Sequence, residues 1–216
     1  MQTNRLTSIA FLVLLCGLSA CTTTPAPPPV LALPLDGRAC AMQPDLVLAR
    51  ELLLATNKAV TVAVDEKMPC LADSGGDPSV YTVFNLPQAM EEFLISVTSV
   101  PQGGTLFAPR VMMLDETGRA MREVSREIFV FHGPALYLGL RVRAGERYLV
   151  VASDPKFVGQ GVSHIQSATM SNTIGTATAA GAIYVNVNTG SETLMDYTYA
   201  HNGSITVAAT PVPKAN

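Results

Sequence analysis

Few side chains in this chain are of the types that carry out covalent chemistry, and the sequence places them far apart. A serine hydrolase needs a nucleophile, a base and an oxyanion hole, yet no G-x-S-x-G elbow occurs. His132, His164 and His201 are widely separated, and each lies beside or within a loop signal. The zinc motif H-E-x-x-H is also absent. The sequence therefore predicts no catalytic residue, no metal and no cofactor, and an envelope hydrolase is the weakest functional hypothesis.

Acidic residues supply the other candidate chemistry. The paired carboxylates Asp65-Glu66, Glu91-Glu92 and Asp115-Glu116 are of the type that glycosidases use. All three pairs lie at turn positions, where charge normally faces solvent. Residues 73–77 read Asp-Ser-Gly-Gly-Asp and could ligate Ca²⁺ through oxygens, but they lack the EF-hand spacing. Turns are the favoured interpretation for all of these sites.

Three tyrosines are the candidate ligand-binding residues. Sugar-binding faces usually carry exposed aromatic rings, and the chain has no Trp. Five aromatic residues fall in apolar registers and are predicted to be core, namely Tyr81, Phe84, Phe93, Tyr137 and Tyr148. Tyr184, Tyr197 and Tyr199 belong to a less regular C-terminal part, and we predict that they form an exposed aromatic platform.

The first twenty residues have the pattern of an export signal. Arg5 precedes the apolar run 9–15, which is too short to span a bilayer of about 30 Å as a helix. Residues 18–21, Leu-Ser-Ala-Cys, resemble the bacterial lipobox, in which the Cys is diacylated before cleavage. We predict a signal peptide over 1–20 and lipidation at Cys21. The alternative is an ordinary signal cut after Ala20, which leaves a free thiol.

A Pro-rich tether is predicted to follow the lipid. Two or three acyl chains together anchor a protein durably. Thr22 stands where enterobacterial sorting uses Asp for retention, so the resemblance favours a periplasm-facing position on the outer membrane. Residues 22–29 extend at about 3.1 Å per residue and span about 25 Å. The predicted lipidated Cys and tether occupy 21–38.

Cys40 and Cys70 are the remaining thiols, and in an oxidising compartment an even pair predicts a disulfide. The loop that it closes has about 30 residues, which corresponds to roughly 3.5 kcal/mol in the chain-entropy model. A metal pair or a redox site is less favoured, because no C-x-x-C spacing occurs and no His lies near either Cys.

The hydrophobic pattern predicts one helix and then strands only. Pro44 suits a first helical position and the helix should end near Asn57. Short alternating segments then recur with Gly/Pro punctuation, which is typical of an all-β fold. We predict an antiparallel, jelly-roll-like β-sandwich over 39–210, with a mobile Gly/Ser/Thr/Ala-rich loop at 159–181 and a frayed tail at 211–216.

Charge excludes one class of partner. The formal net charge is −3 and charged residues make up 14% of the chain, against about 25% in an average globular protein. Without a basic run, a nucleic-acid partner held by phosphate contacts is excluded. The leader contributes only one charge, Arg5, so the low charge belongs to the predicted mature domain.

Five phrases occur in an order that resembles the maltose operon periplasmic protein family (MalM-like). They span 62–69, 83–87, 106–115, 148–153 and 199–207, although an Arg that the family places before the His of the last phrase is missing. The resemblance implies a periplasm-facing, non-enzymatic accessory protein linked to carbohydrate uptake, and it carries over no catalytic residues.

Two functional hypotheses follow. The first is a lipid-anchored outer-membrane protein that supports the uptake of a maltodextrin-type saccharide as an accessory or binding protein. The second is a structural subunit of an envelope complex that docks through a sheet edge or through the 159–181 loop. The expected partners are the membrane, through the N-terminal lipid, and a saccharide or another envelope protein.

Overall fold

The computed structural model describes residues 35, 37–72, 75–89, 92–178 and 181–212, and for residues 170–178 and 181–188 it describes the backbone alone. The predicted signal peptide, Cys21 and most of the predicted tether lie outside the described residues, as does most of the predicted tail.

The described residues form fourteen strands and no α-helix. The strands are β1 Arg50–Glu51, β2 Ala59–Val64, β3 Cys70–Ala72, β4 Pro78–Asn85, β5 Phe93–Val100, β6 Thr105–Phe107, β7 Pro109–Leu114, β8 Ala120–Val124, β9 Val130–His132, β10 Ala135–Arg141, β11 Tyr148–Ser153, β12 Gly161–Thr178, β13 Gly181–Ala200 and β14 Gly203–Pro211. Short 3-10 turns occupy Leu46–Leu48 and Arg126–Ile128. In this part of the chain, no helix has the length and apolar character needed to cross a bilayer.

Two sheets pack face to face, so the predicted all-β sandwich is confirmed. One sheet has the order β1-β4-β11-β7-β8, with β3 also paired to β4; the other has the order β2-β14-β5-β10-β9. Alternate residues of β5 and β14 are buried, among them Ile95, Val97, Ile205 and Val207. They belong to one apolar core, as expected where two sheets each turn one face inward.

The centre of the first sheet is covered on both faces. In β4 and β11 nearly every residue is buried, and the side chains divide between two apolar clusters. Phe84 and Leu149 belong to the core between the sheets. Tyr81 and Val150 belong to an outer cluster, against which Leu46 from the N-terminal segment packs. Strands covered on both faces show continuous apolar runs rather than alternation.

The predicted helix from Pro44 to about Asn57 is wrong. Only Leu46–Leu48 makes a 3-10 turn, with Asp45 accepting a hydrogen bond from the Val47 N–H. The chain is then extended, pairing in parallel with β4 at Arg50–Glu51 and bridging β14 at Leu54. The segment thus crosses from one sheet to the other and buries Leu52 between them. Pairing with distant strands has overridden local helical preference.

The predicted loop at 159–181 is also wrong. Residues 161–178 form β12, which pairs with β13 from Gly161↔Thr198 to Thr178↔Gly181. Small residues resemble a loop because they bury little surface, but a ladder is held by backbone hydrogen bonds, and Thr favours strands. At its base, β13 pairs in parallel with β6.

The predicted disulfide between Cys40 and Cys70 is confirmed, with the two Cα atoms 4.8 Å apart. It lies beside a short parallel bridge between Ala41 and Leu71. The Ala41 N–H donates to the Cys70 carbonyl at 3.0 Å, and the Ala72 N–H donates to the Ala41 carbonyl at 2.9 Å. The covalent link therefore ties the N-terminal segment to β3.

Candidate functional site

Two of the three predicted platform tyrosines are buried rather than exposed. Tyr197 and Tyr199 are only 5% and 3% exposed, because they lie at the base of β13, where it packs on the core. The Tyr199 hydroxyl accepts hydrogen bonds from the Arg126 guanidinium, including one from Nε at 2.7 Å. Burial raises the pKa of Tyr197. The predicted platform is therefore wrong for these two residues, and the Tyr184 side chain lies outside the description.

The three histidines have different contacts. His201 is buried, and its Nδ1 is 2.7 Å from Ser153 Oγ. Ser153 Oγ is itself inaccessible to solvent and accepts the Val80 N–H at 3.1 Å. This buried Ser–His pair ties β4 and β11 to the turn after β13. His164 stacks on Phe131 and His132 lies near Tyr137.

The structure brings together acidic residues from two of the carboxylate pairs that the sequence analysis treated separately. Glu92, Asp115 and Glu116 line one open cleft of about 800 Å³, together with Arg143 and Arg147. The cleft lies where the β7–β8 turn meets the β10–β11 turn, beside the segment that leads into β5. Asp65-Glu66 does not line the cleft, and Glu91 lies outside the described residues.

One wall of the cleft is the β7–β8 turn, which Asp115 holds in place. Its Oδ1 accepts hydrogen bonds from the Thr117 hydroxyl at 2.7 Å, the Thr117 N–H at 2.9 Å and the Arg119 N–H at 3.0 Å. The bond from the Thr117 hydroxyl, followed by that from the Arg119 N–H, lowers the pKa of Asp115. The cleft therefore presents an ionised carboxylate on a turn with a defined shape.

The opposite wall is the β10–β11 turn, which a buried ion pair holds. Glu146 accepts Arg122 Nε at 2.6 Å and Nη2 at 3.1 Å, and it also accepts the Arg143 N–H at 2.8 Å. Arg122 Nη2 donates in addition to the Arg141 carbonyl at 2.7 Å. Arg141, Arg143 and Arg147 line the cleft together with Glu146.

The residues that line this cleft are well suited to hydrogen bonding. Guanidinium groups supply N–H donors and carboxylates supply acceptors, both in planar arrays. Arg141 and Glu92 form an exposed ion pair at 2.9 Å, which exchanges readily with water or a ligand because surface pairs are weak. The lining includes neither Ser, Cys nor His. Sequence reasoning missed this cleft because its turns are separated in the chain.

A second exposed surface is the β12–β13 hairpin beyond its base. Val162, His164 and Met195 are partly buried near the base, whereas the described positions 167–169 and 189–194 are all exposed. Ile165 and Leu194, which pair across the hairpin, are 58% and 60% exposed. This hairpin occupies most of the region in which the sequence analysis expected a loop.

The protein is a disulfide-linked, all-β sandwich with a polar cleft at one end. Residues 77–158 match the family described as maltose operon periplasmic protein precursor (MalM). The MalM-like resemblance predicted from the sequence is thereby confirmed over this segment, which runs from β4 to just beyond β11 and includes the cleft. That description places the family in the periplasm.

Other comparisons add little. No curated protein matches the chain. Among solved structures, the chain resembles the pre-peptidase C-terminal domain of collagenase from Bacillus anthracis. The two are 10% identical, the match covers 74% of this chain and 95% of that one, and the TM-score is 0.29.

Proposed function

We propose that this protein is a non-enzymatic accessory protein of the periplasm that binds a neutral, maltodextrin-type saccharide in the cleft between the β7–β8 and β10–β11 turns. The observation that carries the proposal is the cleft itself, which lies inside the segment that matches the maltose operon family. The proposal includes attachment to the outer membrane by lipid on Cys21.

Charge balance favours a neutral ligand over an anionic one. The lining includes three arginines, Arg141, Arg143 and Arg147, and three acidic residues besides Glu146, namely Glu92, Asp115 and Glu116. Glu146 does not alter this balance because Arg122 neutralises it. A phosphate or a polyanion would meet as much repulsion as attraction, whereas sugar hydroxyls both donate and accept hydrogen bonds.

The size of the cleft supports the same ligand class. Ligand pockets usually measure about 300–1,000 Å³, and this cleft of about 800 Å³ can hold a short oligosaccharide. Both turns are already fixed by hydrogen bonds, so little conformational entropy has to be lost on binding.

Calorimetry with the mature chain tests the saccharide proposal. Maltotriose and maltoheptaose should bind, and Arg143→Ala should weaken binding by at least about tenfold without lowering the melting temperature, because the Arg143 backbone contact to Glu146 is kept. Lys156→Ala is the matched control, since Lys156 is an exposed cation paired with Glu127 outside the cleft. Absence of binding, or equal losses in the two variants, would contradict the proposal.

Lipid attachment has its own test. Cys21→Ser should abolish the incorporation of labelled palmitate and move the protein from the membrane fraction to the soluble periplasm, because the N-terminal acyl chains are then missing. Cys16→Ser is the control and should change neither result. A Cys21 thiol that alkylating reagents modify in the mature protein would favour the ordinary signal peptide instead.

The hairpin favours a second candidate function, that of a structural subunit that docks through a sheet edge. A two-stranded ribbon whose outer positions face water on both sides buries too little to be stable on its own. Such an element gains from pairing with another strand, which is a recurring mode of protein recognition.

A further inference from the structure

We infer that the outer edge of β12 pairs with the β12 edge of a second copy of this chain, so that two hairpins form one four-stranded antiparallel sheet. The inference deepens the second candidate function by naming its partner. It does not depend on saccharide binding in the cleft.

The first argument is the length of the open edge. Among the described residues, β12 pairs with β13 alone, and the sheet order is β12-β13-β6. Eighteen residues at about 3.4 Å each give an edge of about 60 Å. Along this edge, every second residue directs its backbone N–H and C=O away from β13, as antiparallel pairing requires.

The second argument is the lack of the usual protection against edge pairing. Natural edge strands carry Lys or Pro, contain a bulge, or are very short. Residues 161–178 contain no Lys, Arg, Asp, Glu or Pro, and the pairing register runs from Gly161 to Thr178 without a shift. By contrast, the edge strand β9 has three residues, and the edge strand β8 carries Arg122 and Glu123. An edge of this kind is a site for strand addition.

The third argument selects a second copy as the partner. Antiparallel pairing of one edge with itself is two-fold symmetric, so a single sequence supplies both sides of the contact. Because β12 is uncharged, self-pairing places no like charges opposite one another. The outer edge of β13 differs, since Glu192 and Asp196 would repel their own copies there. An uncharged edge also offers no electrostatic complement by which a charged partner could be selected.

The fourth argument is that pairing would complete the hairpin. Two-stranded hairpins are marginal in water, whereas three or more strands give independent stability. Joining two copies through β12 gives the order β13-β12-β12-β13, in which both copies of β12 are central. The exposed positions at 167–169 would then lie at a protein interface.

The test uses the full mature chain in detergent, with mass measured by sedimentation at several concentrations. The wild type should be a dimer. Ser167→Lys combined with Thr169→Lys should raise the dimer dissociation constant by at least about tenfold, because it places like charges on the paired edges. Ala59→Lys combined with Ala63→Lys adds the same charge to exposed positions of β2, another edge strand, and should leave the dimer intact.

Hydrogen exchange supplies a second readout that does not depend on mass. The outward amides of residues 161–169 are protected only when a second strand covers them, so they should exchange slowly in the wild type and at least about tenfold faster in the Ser167→Lys/Thr169→Lys variant. The disulfide and the melting temperature of the body should be unchanged.

Four results would overturn the inference. A monomer at every concentration would do so, and it would also remove the support for a docking role. A dimer that survives the β12 lysines would assign the contact to another surface. Co-purification of a different protein in place of a differently tagged copy would name another partner for the same edge. Binding to phospholipid vesicles that the lysines abolish would assign the edge to a lipid surface.

Discussion

The body of the sandwich and the β12–β13 hairpin have the same secondary structure but different physical support. In the body, β4 and β11 are almost entirely buried, so the burial of apolar surface holds them. In the hairpin beyond its base, the described positions face water, and backbone pairing carries the structure. The contrast indicates that the core stabilises the body by itself, and it supports our proposal that the hairpin edge pairs with a partner strand.

The hairpin and the body of the sandwich meet through a few aromatic contacts. His164 of β12 stacks on Phe131 of β9, with ring centroids 4.2 Å apart. On the other strand, Tyr199 packs edge-on against Phe157, with centroids 6.2 Å apart, and receives the Arg126 guanidinium. Burial lowers the pKa of Arg126. Among the side chains that the structure describes, those at the base of the hairpin anchor it to the body.

The largest predicted effect concerns the substitution of Leu by Ala, made once in the body and once in the hairpin. Leu149 is fully buried in the core, and Leu194 is 60% exposed on the hairpin. Leu149→Ala should lower the free energy of unfolding by about 2–5 kcal/mol, because it removes buried methyl groups and leaves a cavity. Leu194→Ala should change it by less than about 0.5 kcal/mol. Equal losses in urea denaturation would remove the distinction between the regions.

An intermediate effect is expected where the hairpin rejoins the body. Gly203 begins β14 with φ at 155°, and an added Cβ would lie 2.9 Å from the Cβ of Phe107. Gly203→Ala should therefore cost about 1–3 kcal/mol through backbone strain and this close contact, measured as a loss in the free energy of unfolding.

Gly104→Ala is the matched control for that substitution. No atom lies within 4 Å of the position that a Cβ would take at Gly104, and Gly104 has no positive φ. The change there should be neutral or slightly stabilising, because the unfolded chain loses freedom. Similar costs at the two positions would show that the close approach to Phe107 is unimportant for stability.

Local patterns predicted the features of the body and failed where distant strands decide the outcome. Cys40 and Cys70 could be paired by counting thiols, and β5 could be recognised as a strand by the alternation of its apolar residues. The segment 44–57 was misassigned because its hydrogen bonds go to β4 and β14, which lie far along the chain. Tyr197 and Tyr199 were misplaced for the same reason, since their burial depends on where β13 docks.

The cleft and the hairpin were missed for a related reason. Asp115 and Arg143 are neighbours only because the β7–β8 and β10–β11 turns close at one end of the sandwich. The residues of β12 are too small and polar for the sequence to indicate a strand, and only their pairing with β13 shows that they form one. In both regions, backbone pairing over long separations carries information that side-chain type does not.

The smallest predicted effect is the contribution of Asp115, in the cleft wall, to the fall of the melting temperature with acid. Because hydrogen bonds lower the pKa of Asp115 in the folded state, its ionised form stabilises the fold above the pKa of the unfolded chain. That contribution is lost as pH falls through the lower, folded pKa. Asp115→Asn removes the titration, so its melting temperature should fall less steeply with acid than that of the wild type, and the difference should vanish at the lowest pH. Asp65→Asn, which changes a turn outside the cleft, is the control for the loss of one surface carboxylate. If the melting temperatures of Asp115→Asn and the wild type fell equally with acid, the β7–β8 turn would keep its shape without the carboxylate. The strands of the body alone would then fix the cleft wall.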